Sequence, residues 1–291
     1  MVDTEDFLIG VIGLGYVGLP LAVKFADAGF DVVGFDVDVD LIDRLTLGES
    51  HVLDVSSDEL LAALASSLRV SSSLSDLMGC QTFVICVPTP LSVSGGADTS
   101  SIEQAVDAIS PWIRAGSLVV LESTSYPGTT EEVVAAPLAA ATGLVAGEDF
   151  CVGFSPERID PGNSEFGVAN TPKIVSGLQE CCLDRVEALY SGAGVSVVPA
   201  GGLREAEFAK LLENTYRQVN IALVNEMAKF TRALGVDIRE AIRLASTKPF
   251  GFAPFYPGPG VGGHCIPIDP QYLASRVESE LGEQFRFVAL A

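Results

Sequence analysis

Near the amino end, the apolar run FLIGVI at residues 7–12 passes directly into Gly13, Leu14, Gly15, Tyr16, Val17 and Gly18, then into apolar residues at helical spacing, Leu21, Phe25 and Ala28. Few folds accept that order. A strand must end in a turn tight enough to need Gly13, the backbone at Gly15 must stay open to a ligand, and a helix must pack too closely for Gly18 to carry a Cβ. This is the fingerprint of a strand–turn–helix that receives a dinucleotide pyrophosphate at the helix N-terminus. A second strand is expected at 31–36. It ends in Asp36, about twenty residues past the glycines, where a carboxylate meets ribose hydroxyls and favours NAD over NADP. A strand-end acid that simply faces water has the same sequence.

Helices are expected at 41–47 and 58–68, then strands at 82–87, 117–121 and 150–154 separated by helices at 102–113 and 129–141. That alternation predicts an α/β fold, an N-terminal Rossmann-type doubly wound sheet. Ligands of such sheets sit beyond the carboxyl ends of the strands. Three segments there stand out: Val87, Pro88, Thr89 and Pro90; the run ESTSYPGTT at 122–130; and SPERIDPGN at 155–163. Each alone reads as an ordinary proline turn. Together, at consecutive strand ends, they point at one cleft.

Two short strands at 173–176 and 195–199 flank a helix at 179–190, and then the pattern changes. From 204 to about 234 there is no proline or glycine, and Phe208, Leu211, Leu212, Tyr216, Val219, Leu223 and Met227 recur at helical spacing. About thirty residues make a helix of roughly 45 Å, the centre of an all-helical second domain. Lys210 and Asn214 share one face of it, either as a ligand-binding pair or as surface residues. After a helix at 237–246 come Phe250, Phe252, Phe255 and Tyr256, suited to a core or to walling a sugar or uracil ring. The stretch YPGPGVGGHCIPIDP at 256–270 is too rich in glycine and proline for helix or strand and reads as a shaped loop delivering Cys265. Asp269 and Pro270 read as the N-cap and first position of a following helix, whose positive end favours a thiolate. A buried thiol in a turn fits the same residues.

The whole run at 256–270 resembles the active-site loop of the nucleotide-sugar 6-dehydrogenases, which oxidise UDP- or GDP-linked hexoses to uronic acids. The likeness extends to the glycine turn, the three strand-end segments and the stretch AKLLEN at 209–214. It implies that Cys265 is the nucleophile, with Asp269 as its partner. Lys210 would stabilise oxyanion charge, Asn214 would orient the C6 group, and Glu157 and Thr124 would handle protons and water. Gly13, Gly15, Tyr16, Val17, Gly18, Asp36, Pro88, Thr89, Thr124 and Glu157 would contact NAD. Glu157, Arg158, Lys210, Asn214, Tyr256, Gly262 and Cys265 would hold a UDP-sugar. Gly263, His264, Cys265 and Ile266, with the run at 155–163, look most like the branch acting on UDP-N-acetylhexosamines. UDP-N-acetylglucosamine is the leading expectation, followed by UDP-N-acetylmannosamine and UDP-glucose. His264 is expected in a structural or substrate-contact role.

The resemblance implies a NAD-binding domain at 1–203, a central helical domain at 204–291 and a homodimer through the long helix. Family members continue into a second α/β domain that binds UDP, so a truncated chain is expected. Two other readings remain open: a two-electron β-hydroxyacid dehydrogenase, which shares a long helix with a lysine–asparagine pair but needs no thiol, and a non-catalytic NAD-binding dimerisation module.

Composition narrows the partners. A formal charge of −21 argues against nucleic acid and anionic membranes. The apolar segment at 7–30 is preceded by Asp3, Glu5 and Asp6 where a signal peptide needs positive charge, so a cytoplasmic protein is expected. Six cysteines show no C-x-x-C pair and no histidine spacing suited to zinc, so no metal is expected. Cys80, Cys86 and Cys151 read as small core residues in a reducing compartment.

Overall fold

The computed structural model describes residues 8–92, 95–158, 167, 170–262 and 265–291, without the side chain of Cys265. It divides into two compact units, Met1–Thr89 with Asp98–Lys210, and Pro90–Ala97 with Leu211–Ala291.

The first unit is built on β1 (Leu8–Ile12), β2 (Asp31–Phe35), β3 (Leu68–Ser71), β4 (Thr82–Ile85), β5 (Leu118–Leu121), β6 (Cys151–Phe154), β7 (Lys173–Gly177) and β8 (Val197–Pro199). They form an eight-stranded sheet in the order β3-β2-β1-β4-β5-β6-β7-β8. All neighbours are parallel except β6 and β7. The order reverses between β1 and β4, the switch point where doubly wound sheets open a crevice. Both faces are covered, as a parallel sheet requires. Along β5, Leu118 and Val120 enter the core on one face, Val119 and Leu121 the core on the other.

Helices α1 (Gly18–Asp27), α2 (Val39–Thr46), α3 (Ser57–Ser66), α4 (Ser100–Ile109), α5 (Ala136–Thr142) and α6 (Glu180–Gly192) pack on these faces. Ser56 and Glu59 start α3 with a reciprocal capping box. The helix expected at 58–68 ends at Ser66. Leu68 then begins β3, an edge strand paired with β2, because Leu68 is buried against the sheet while Arg69 points outward. The helix expected from 129 opens as a π-helical turn, Thr130–Ala135, before α5.

The second unit contains most of α7 (Leu203–Ala233), with α8 (Ile238–Ala245), α9 (Cys265–Leu281) and α10 (Arg286–Leu290). Its small core joins Leu211, Tyr272 and Leu273 to Ala97, Ile268, Val277 and Phe285. Leu91 and Ala97 are joined by an isolated antiparallel bridge. Gly96 lies so near α9 that a Cβ there would meet Ser275 Oγ at 2.8 Å.

Two expectations change here. The helix expected to begin at Pro270 starts five residues earlier, at Cys265, so Asp269 is interior and not an N-cap. Pro267 sits in the first turn, where its missing N–H has no partner to lose, and Pro270 lies inside the helix, unable to donate to the Ile266 carbonyl. In α7 the apolar stripe read from spacing is largely the exposed face: Phe208, Leu212, Tyr216, Leu223 and Met227 are all exposed, joined by Phe230. The buried face carries Glu207, Lys210, Thr215 and Gln218 beside Leu203, Ala206 and Leu211. Among the described residues no helix is long and apolar enough to cross a membrane.

Candidate active site

The glycine turn divides its tasks as a dinucleotide cradle must. Gly13 has φ +92°, and a Cβ there would meet the Cys86 carbonyl oxygen at 2.9 Å. At Gly18 a Cβ would stand 1.8 Å from the Gly13 carbonyl oxygen, so α1 approaches the turn only because this residue has no side chain. Gly15 has nothing within 4 Å of its Cβ position and leaves open space over the turn. Val17 precedes α1 without a side-chain cap, and no acid lies in the first turn, so the helix N-terminus is left to an outside anion. Tyr16 is exposed, its ring 6.4 Å from that of His51. Asp36 accepts from Leu14 N at 2.8 Å and from Asp38 N at 3.0 Å, holding the turn against the end of β2. Open space, an unsatisfied helix end and a strand-end carboxylate together fit NAD.

Within the first unit the first two strand-end segments are tied to each other directly, and Lys173 links the second to the third. Ser123 Oγ donates to the Val87 carbonyl at 2.7 Å, and Thr89 Oγ1 donates to the Thr124 carbonyl at 2.7 Å. Pro88 beside them is exposed. Glu157 accepts from the Arg158 amide at 2.7 Å, and Arg158 Nη1 donates to the Pro172 carbonyl at 2.7 Å.

Under these loops lies a buried polar cluster that sequence reading missed. Lys173 Nζ is 2.7 Å from Glu122 and 3.7 Å from Glu157, and it stands over the Tyr190 ring at 5.3 Å. Tyr190 donates its hydroxyl proton to the other Glu122 oxygen. Burial pushes Glu122 up to about 6, against the pull of Lys173. Burial also works against the Lys173 charge, but the Glu122 and Glu157 carboxylates outweigh it and raise the lysine. Burial, then Glu122, lifts Tyr190 well above its ordinary value. These residues are 51 and 68 positions apart, and no spacing signal links them.

A second missed residue is Glu207, on the first turns of α7. Its buried carboxylate accepts from Gly128 N at 2.5 Å, Thr130 N at 2.8 Å and Thr130 Oγ1 at 2.7 Å. It therefore satisfies the amides that open the helix after β5. Lys210, one turn on, is buried, and among the described residues no hydrogen bond or ion pair holds its ammonium.

In the second unit, Asn214 Nδ2 donates to Asp269 Oδ2 at 2.5 Å, and Asp269 is buried. Cys265 is the first residue of the same helix, four positions before Asp269. The approach to it is fastened by Asn225, whose Oδ1 accepts from Gly258 N at 2.9 Å, and by the edge-on contact of Phe255 with Tyr216 at 5.8 Å. Gly262 is exposed with φ +68°. Phe250, Phe252 and Tyr256 are exposed, which removes the core reading for them. Gly263, His264, the Cys265 side chain and residues 159–166 of the SPERIDPGN segment lie outside the described residues.

Comparison with known proteins decides what this arrangement belongs to. Residues 7–193 match the model of the UDP-glucose/GDP-mannose dehydrogenase family, NAD binding domain, and residues 204–291 match that family's central domain. The chain belongs to this family. Similar relatives include UDP-N-acetyl-D-mannosamine dehydrogenase of Pyrococcus horikoshii, 40% identical over 94% of this chain and 65% of the relative. UDP-N-acetyl-D-glucosamine 6-dehydrogenase of Pseudomonas aeruginosa is also 40% identical, over 94% of this chain and 64% of the relative. Among solved structures, the UDP-D-ManNAc dehydrogenase of Pyrococcus horikoshii superposes with a TM-score of 0.90 at 39% identity, covering 97% of this chain and 66% of that one. The chain thus spans about 65% of the length of the curated relatives it matches. The family's NAD-binding match contains the glycine turn, Asp36 and the three strand-end segments, and its central-domain match contains Lys210, Asn214, Cys265 and Asp269.

Proposed function

We propose that this chain carries the cofactor-binding and catalytic parts of an NAD-dependent nucleotide-sugar 6-dehydrogenase that oxidises the C6 hydroxyl of a UDP-N-acetylhexosamine to the acid. The observation that carries the reading is the hydrogen bond from Asn214 on α7 to Asp269, inside the helix whose first residue is Cys265. The start of a helix is where a thiol is most easily held as thiolate. Competing thiols are poorly placed for that role: burial raises Cys80 to about 11 and Cys86 and Cys182 above their ordinary values.

NAD, when bound, supplies the hydride acceptor for each of the two oxidations from alcohol to acid. The chain's own residues have the remaining tasks. Cys265 adds to the intermediate aldehyde and keeps it from escaping, and the oxidised adduct is a thioester that water cleaves. Lys210 offsets negative charge on the C6 oxygen, and Asn214 orients that group through an amide already fixed by Asp269. Asp269, Glu157 and Thr124 manage protons and the hydrolytic water. Gly13, Gly15, Tyr16, Val17, Gly18, Asp36, Pro88 and Thr89 bind and orient the dinucleotide. Arg158, Tyr256 and Gly262 are assigned to the sugar nucleotide.

UDP-N-acetylglucosamine is the first substrate proposed and UDP-N-acetylmannosamine the second, both favoured by relatives at 40% identity named for these sugars. We place two copies together along the exposed apolar stripe of α7, and the chain in the cytoplasm, where its five described cysteines stay free. The test is a panel of UDP- and GDP-sugars with NAD, run on the chain and on Cys265→Ser. Acid should form from a UDP-N-acetylhexosamine and vanish in the variant. Acid production that survives the substitution would overturn the thiol mechanism in favour of a simpler dehydrogenase.

A further inference from the structure

Residues 151, 181 and 182 are spread over two elements, but the fold gathers them. Cys151 opens β6, while Cys181 and Cys182 lie in the first turn of α6. They meet because β7 runs antiparallel to β6, so the chain leaving β7 at Gly177 returns to the edge of the sheet where β6 begins. Their three sulfurs lie within 4.8 Å of one another. Cys151 and Cys182 are buried, and Cys181 is exposed, with its sulfur 3.5 Å from the Gly147 carbonyl.

We propose that Cys151, Cys181 and Cys182 form a site for a thiophilic d10 cation, zinc(II), bound by three thiolates with water in the fourth position. Three atoms no more than 4.8 Å apart always fit within a sphere of radius about 2.8 Å, so a central ion needs each sulfur to close by only about 0.5 Å to reach a zinc–sulfur bond of about 2.3 Å. Rotation of the exposed Cys181 supplies much of that closure and opens the path for the ion. Binding breaks three S–H bonds, releases three protons to solvent and forms three zinc–sulfur bonds. The sulfurs keep their oxidation level, so no oxidant is needed. The site lies at the amino edge of the sheet, opposite the strand ends that face the cofactor, and it clamps α6 to β6 without entering the reaction. Absence of a C-x-x-C pair hid it, because the ligands come from either side of β7.

The test uses the reduced, metal-free chain carrying Cys265→Ser, so that the loop thiol cannot contribute, and cobalt(II) as the probe. One cobalt per chain should bind with sulfur-to-metal charge-transfer absorption and tetrahedral ligand-field bands, yield to zinc, and protect three thiols from a thiol reagent. Adding Cys181→Ser, an exposed position that leaves the core intact, should weaken binding at least tenfold. No charge-transfer absorption from the folded chain, or unchanged affinity after Cys181→Ser, would overturn the proposal.

Discussion

Gly15 and Gly18 lie three residues apart in one motif and should fail differently. Alanine at Gly15 meets no protein atom, so Gly15→Ala should keep its melting temperature while losing NAD affinity, read by calorimetry and cofactor titration. Gly18→Ala drives a methyl into the Gly13 carbonyl and should destabilise by about 1–3 kcal/mol or more. Lys173→Met tests the buried cluster. Removing one partner of a buried ion pair strands the other, so a loss of about 3–5 kcal/mol is expected in denaturant unfolding at neutral pH. The sign with pH follows from Glu122, whose folded value of about 6 stands above its ordinary 4.5. Its contribution to stability is therefore complete below about 4.5 and is lost as pH rises through about 6. Without the ammonium the carboxyl is raised further, so the deficit of Lys173→Met should shrink as pH falls toward 5. A deficit that grows on acidification would contradict the pairing.

At the scale of elements, Glu207 makes α7 the cap for the helix after β5. Glu207→Ala leaves the amides of Gly128 and Thr130 unsatisfied in a buried place and should cost about 1–3 kcal/mol, with faster hydrogen exchange confined to the turn at 128–130. Strands β1, β2, β4, β5 and β6 were legible because buried parallel strands read as apolar runs bounded by turn residues. The start of α9 was not. Asp269 followed by Pro270 has the local form of a helix beginning, but the first turn also accommodates Pro267, so the helix starts at Cys265 and holds Asp269 inside against Asn214. The glycine turn was legible because each glycine answers a steric demand of its own. The Glu122–Lys173–Tyr190 cluster was hidden because its members come from the residue after β5, from β7 and from α6, and only the sheet order makes them neighbours.

For the whole molecule, α7 is the proposed surface of assembly. Spacing correctly marked one apolar stripe, but spacing alone cannot tell a stripe that faces its own core from one that faces another chain. Leu212, Tyr216, Leu223, Met227 and Phe230 are exposed, and a row of that size is more than a solvated surface ordinarily carries. Leu212→Glu with Met227→Glu should convert a dimer to a folded monomer in sedimentation velocity. An unchanged sedimentation coefficient would place the interface elsewhere. The central proposal is that the Cys265 thiol would let one enzyme take an alcohol past the aldehyde without releasing it. Its most direct measurement is the number of NADH formed per UDP-sugar consumed. Two per sugar, with no free aldehyde trapped by a hydrazine, is the result predicted; one per sugar would contradict the account.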